Sequence, residues 1–107
     1  MTGDKAIKIF EHEQFGEIRI VDEKGEPWFV ARDVADILGY SDTQAMTRRL
    51  DEDEVNTCTD KSSGQLRNIT IINESGFYNA VIGSQGLGAV ASVLFYEIVY
   101  TFGLTLL

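Results

Sequence analysis

Residues 31–50, ARDVADILGYSDTQAMTRRL, constrain this chain more than any other stretch. Val34, Ile37 and Leu38 are spaced i, i+3, i+4, so they share one face of a helix. Gly39 follows the last of them, where a helix end favours a residue that tolerates positive φ. Ser41 or Asp42 then supplies an N-cap for a second helix. In that helix Met46 and Leu50 are four apart and face the first helix, while Gln44 and Arg48, also four apart, point nearly the opposite way. Two short helices on a glycine turn, the second offering polar and cationic tips, have the shape that enters a DNA major groove.

The flanking residues have strand spacing. Ala6–Phe10 suits a first strand. In Phe15–Val21 the apolar Ile18 and Ile20 alternate with Glu17 and Arg19, as in a half-buried antiparallel strand. Asp22-Glu23-Lys24-Gly25 is a turn with Gly25 at the positive-φ position of a bulged hairpin loop, and Pro27-Trp28-Phe29-Val30 returns as a strand. The acidic run Asp51–Glu54 is expected to be a solvated loop and not a metal site. Val55–Thr59 suits an edge strand, Asp60–Gln65 a loop, and Leu66–Ile72 a strand with Ile69 and Ile71 on one face, together a second hairpin. Asn73 caps a helix from Glu74 to Ile82, which Gly83 ends.

Charge limits the choice of partners. Nine Lys and Arg against 17 Asp and Glu give a net charge of −8. Globally that repels a polyanion, so any attraction to DNA has to be local or come from a segment outside this chain. Cys58 and His12 are each the single residue of their kind, which excludes an intrachain disulfide and a cysteine-based metal site. His12 is expected at the surface and Cys58 in packing. The polar opening MTGDKAIK is not expected to act as a signal peptide, and a reducing cytoplasm is the expected setting.

From Gly86 the sequence turns small and then apolar, VLFYEIVYTFGLTLL, and no Lys or Arg follows Arg67. The length suits a membrane span. Glu97, the Tyr, Thr and Val content and the missing flanking cations argue against one. A buried helix or strand is expected first and an oligomer interface second, with a membrane tail last.

The stretch IKIFEHEQFGEIRIVDEKGEPWFVARDVADILGYSDTQAMTRRLDEDEV followed by ITIINESGFYNAVIGS resembles the N-terminal domain of the BRO family, found in phage antirepressors and large DNA-virus proteins. The resemblance spans about residues 7–84. It implies an α+β domain: small antiparallel β-hairpins packed with a helix-turn-helix-like pair and a further short helix. It also implies DNA binding without catalysis, usually in fusion with a C-terminal antirepressor or other phage domain. It places the DNA-facing helix at Asp42 to Leu50, with Thr43, Gln44, Thr47, Arg48 and Arg49 as candidate contacts. No metal or cofactor is implied. After residue 84 the family continues into a Lys- and Arg-rich helix with a Trp-Val pair and a Leu-Pro-x-Ile-Arg ending. Residues 85–107 carry none of this and are expected to be an atypical tail arising by truncation, recombination or a shifted frame.

The candidate residues suit DNA chemically. Arg48 and Arg49 can meet guanine edges or phosphates, Gln44 can read adenine, and Thr43 and Thr47 can touch phosphate or a thymine methyl. The competing expectation is that both arginines pair with Asp51, Glu52 or Asp53 and merely solubilise a helix. Arg32 and Asp33 open the first helix, where Asp33 favourably meets the dipole and is expected to be structural. Trp28 and Phe29 are expected in the core ahead of base stacking. Asn73-Glu74-Ser75-Gly76 is a helix start that could hold a phosphate, with ordinary capping the plainer use. No Ser/His/Asp set, glycine-rich phosphate loop or plausible carboxylate pair supports an enzyme. Two functions follow. One is a phage or prophage regulatory module on double-stranded DNA. The other is an antirepressor module that sequesters a phage or host repressor through acidic surface and the apolar tail, itself a possible homo-oligomer contact.

Overall fold

The computed structural model describes residues 7–12, 16–60 and 64–84. The expectations for the frayed start, the loop at 61–63, the His12 side chain and the 85–107 tail lie outside the described residues.

The elements run β1 (Ile7–His12), β2 (Gly16–Glu23), β3 (Glu26–Val30), α1 (Ala31–Leu38), α2 (Thr43–Thr47), a 3-10 turn (Glu52–Glu54), β4 (Val55–Asp60), β5 (Arg67–Asn73) and α3 (Glu74–Gly83). The fold is α+β. The two expected hairpins do not stand apart. They join through β3 and β5 into one antiparallel five-stranded sheet of order β1-β2-β3-β5-β4, with β4 on an edge.

Register explains the join. Ile20 faces Phe29 and Phe29 faces Ile72, so three large apolar side chains line up across β2, β3 and β5. All three are buried on the helix-bearing face with Val34, Ala35 and Leu38 of α1, Met46 of α2, and Phe77, Ala80 and Val81 of α3. Phe29 meets Phe77 edge-on, ring centroids 4.8 Å apart at 71°, a favoured geometry for two aromatic quadrupoles. On the other face Val21, Trp28, Val30, Cys58 and Ile71 form a second buried cluster, with Ile69 packed against it. Trp28 and Phe29 are therefore both buried, on opposite faces.

The β2–β3 turn is tighter than expected. Glu23 pairs with Glu26, leaving only Lys24 (φ +56) and Gly25 (φ +85) in the loop. Two successive left-handed residues make a type I′ turn, whose twist matches the strands, in place of a bulge. The Gly25 N–H donates to Asp22 Oδ1 at 2.9 Å.

β3 is short because the chain passes from Val30 straight into α1. Pairing of β3 stops at Ile20↔Phe29 on one side and Val30↔Ile71 on the other. A notch opens between β2 and β5 where β3 leaves. Asp33, in the first turn of α1, closes the β2 side. Its Oδ2 accepts from the Arg19 backbone N–H and from Nε, each at 2.9 Å, and its Oδ1 accepts from Nη2 at 2.9 Å. The fork geometry is the strong form of an Arg–carboxylate pair. It raises the Arg19 pKa, with burial opposing and the nearby charges of Asp33, Asp60 and Glu17 adding to the rise.

The acidic run departs from the solvated loop expected of it. Asp51, Glu52 and Asp53 are exposed, but Glu54 is buried at 4% exposure. Its carboxylate accepts from the Asp51 N–H (2.9 Å), Ser75 Oγ (2.7 Å) and Asn79 Nδ2 (2.8 Å). These bonds, the Ser75 one foremost, hold its pKa below the ordinary carboxylate range against the cost of burial. An internal anion thus sits beside the first turns of α3, where the sequence offered a phosphate. Asn73 caps that helix by accepting from the Gly76 N–H at 2.8 Å.

Candidate nucleic-acid interface

The turn between α1 and α2 forms as its residue types dictate. Gly39 takes φ +83 and its N–H reaches Ala35 and Asp36 carbonyls, closing α1. Asp42 is the N-cap of α2, its Oδ1 accepting from the Ala45 N–H at 2.8 Å. The helix is shorter than the expected Asp42–Leu50 span. It covers only Thr43–Thr47, and the chain then tightens: Arg49 N–H donates to Met46 O (3.1 Å) and Leu50 N–H to Thr47 O (3.0 Å). These i→i+3 bonds end the helix in a narrower turn. The reason is anchoring: Met46 is fully buried and Leu50 packs against the same core, which pulls the chain inward after one and a half turns.

That anchoring presents the other side chains. Gln44, Arg48 and Arg49 are exposed, while Thr43 and Thr47 are half-buried. Gln44 lies in the helix proper, whereas Arg48 and Arg49 sit on the turn that follows it. Among the described residues no ion pair ties Arg48 or Arg49 to Asp51, Glu52 or Asp53. The 3-10 turn commits Glu54 toward α3, and the remaining acids stay in solvent.

The two arginines border a cleft of about 570 Å³ between the α1–α2 turn and the end of α3, with Tyr40, Ser41, Gly83 and Ser84. Tyr40 fixes its wall: the phenol donates to the Ala80 carbonyl at 2.7 Å. Burial raises the Tyr40 pKa, partly opposed by the Arg49 charge. Gly83 does not end α3 by a left-handed turn. It is the last helical residue, and Ser84 is the C-cap with φ −79. Close approach requires the glycine instead. A Cβ there would stand 2.9 Å from Tyr40 Oη and 3.2 Å from Arg49 Cδ.

A second recess, about 320 Å³, is the notch left by β3. Arg19, Arg32, Arg67, Thr43 and Thr70 line it. Arg32 and Arg67 are exposed. Sequence alone did not single out Arg67 or Thr70, because only the β3–β5 pairing brings them beside the start of α1. No set of three His, Cys, Asp or Glu suited to a metal occurs among the described residues, and no helix there is long and apolar enough to cross a membrane.

No curated protein and no solved structure matches the chain. One family model does match: BRO family, N-terminal domain, over residues 17–91. The matched region takes in the type I′ hairpin, both helices of the glycine turn, the buried Glu54 and α3.

Proposed function

The chain belongs to the BRO family by its N-terminal domain, and on that premise we propose that it is a DNA-binding module of a phage or prophage antirepressor-type regulator. Double-stranded DNA is contacted through α2 and the turn behind it. It acts in the cytoplasm of the bacterial host, without catalysis or cofactor. The observation that carries this is the exposure of Gln44, Arg48 and Arg49 on an element whose other side, Met46 and Leu50, is fastened to the core, with neither arginine drawn to the neighbouring acids. Arg48 and Arg49 supply guanidinium forks for guanine edges or phosphates, and Gln44 supplies an amide for adenine. Thr43 and Thr47, half-buried at the flanks, suit phosphate contact better than base reading.

A gel-shift titration on duplex DNA at low salt tests this. The parent binds, the binding falls steeply with added salt as counterions are released, and Arg48→Ala/Arg49→Ala removes most of it. A double variant that binds like the parent overturns the assignment. The net charge of −8 favours a second reading, capture of a basic surface on a repressor. Repressor capture by a preparation that shifts no DNA supports that reading over the first.

A further inference from the structure

We propose that α2 is straddled by two phosphate seats, and that the notch left by β3 is the second of them, taking a backbone phosphate of the DNA strand opposite the one met at the Arg48–Arg49 cleft. This rests on the DNA-binding reading above and adds the contact that would orient the domain on the duplex.

Placement supplies the first support. Thr43 lines the notch, whereas Ala45, Arg48 and Arg49 line the cleft, and at helical spacing these fall on opposite sides of α2 and its following turn. A helix with its side chains is about 10–12 Å across, close to the major-groove width of about 12 Å. Phosphate contacts on both sides of a groove fix the register of whatever lies in it.

Charge is the second support. Arg19 is already spent on Asp33, and Asp60, buried on the same sheet face, acts on Arg19 as well. Arg32 and Arg67 are the exposed guanidiniums that remain, and the hydroxyls of Thr43 and Thr70 add donors beside them. The Ala45 N–H at the start of α2 is committed to Asp42, and the seat is built from side chains. In a chain of net charge −8, two exposed arginines drawn from α1 and β5 line one concave recess.

The test measures anisotropy of a labelled mixed-sequence duplex of about 25 base pairs across 50–200 mM salt, with circular dichroism confirming that each variant is folded. Arg32→Gln/Arg67→Gln is expected to weaken binding at least about tenfold at low salt and to lower the log–log salt slope by about 1.8, two phosphate contacts' worth. Its preference between duplexes of different sequence stays that of the parent. Arg48→Gln/Arg49→Gln is expected to lose binding altogether. If the second variant loses binding while the first keeps the parent's slope, the notch seat is refuted and the α2 reading stands. If the parent itself binds no duplex at 50 mM salt, both fall.

Discussion

The carboxylate of Glu54 accepts a 2.7 Å hydrogen bond from the hydroxyl of Ser75, a contact that ties the acidic run after α2 to the first turn of α3. With the Asp51 N–H and Asn79 Nδ2 as further donors, a buried anion closes one end of the domain.

Removing that anion is expected to be costly. Glu54→Ala strips three charge-assisted hydrogen bonds at once, although water can reach Ser75 and Asn79, which are exposed. A loss of about 2–3 kcal/mol is expected. Glu54→Gln retains an acceptor and the packing and loses less. The pH dependence has a defined sign. Ser75 above all holds the folded pKa below the ordinary carboxylate range, so the contribution is complete above that range. As the pH falls through it the unfolded chain takes up the proton first, and stability drops until the folded carboxyl is protonated too. Urea titrations of parent and Glu54→Gln between pH 3 and 7 check this. The variant's curve is expected to be flatter below pH 5, and identical slopes would remove Glu54 from the account.

Why this was hidden in the sequence is instructive. An acidic run beside polar residues has no local mark of burial, and Glu54 is inward only because β4 and β5 bring the start of α3 onto it. The same holds for the join of the hairpins. β3 and β5 are far apart in the chain, and their partnership depends on Phe29 and Ile72 matching across a register that no short-range pattern encodes. Local chemistry was legible. The Gly39 turn, the Asp42 and Asn73 caps and the inward Met46 all follow from residue types at fixed spacing. Of the candidate site, the outward set on α2 was visible for that reason, while the Arg32–Arg67 notch required the topology.

Arg19 and Asp33 offer a test of the notch as architecture. Asp33 satisfies both a guanidinium and a backbone N–H left open where β3 departs. Asp33→Ala is expected to cost about 2 kcal/mol, more than an exposed ion pair, because the geometry is bidentate and Asp33 is largely shielded. A double-mutant cycle with Arg19→Ala should return a coupling of about 1 kcal/mol or more. A coupling near zero would mean the pair is incidental.

Among the described residues the buried indole N–H of Trp28 has no hydrogen-bond partner. An unsatisfied buried donor costs about 1–3 kcal/mol. Trp28→Phe removes it together with part of the apolar bulk, so the two effects oppose each other. The variant is expected to lose about 1 kcal/mol or less, against about 3–5 kcal/mol for Trp28→Ala. Thermal unfolding of the two variants side by side decides it, and similar losses would show that the donor is satisfied in solution.

Gly83 is where α3 and the candidate interface meet. Alanine is worth about 1 kcal/mol over glycine in a helix interior and less at the last helical residue, so Gly83→Ala would ordinarily stabilise α3 by a fraction of that. Here the added Cβ would stand 2.9 Å from Tyr40 Oη and 3.2 Å from Arg49 Cδ. Arg49 is exposed and can swing away, but the Tyr40 hydroxyl is pinned to the Ala80 carbonyl. Gly83→Ala alone is therefore expected to be neutral or destabilising and, by displacing Arg49, to weaken duplex binding. In a Tyr40→Phe background the opposing oxygen is gone, and the same substitution should recover the small helix gain while still disturbing Arg49. Measuring stability and DNA affinity on all four combinations separates the two effects. If Gly83→Ala stabilises equally in both backgrounds, Tyr40 does not hold the wall of the cleft, and the glycine is there for some reason other than close approach.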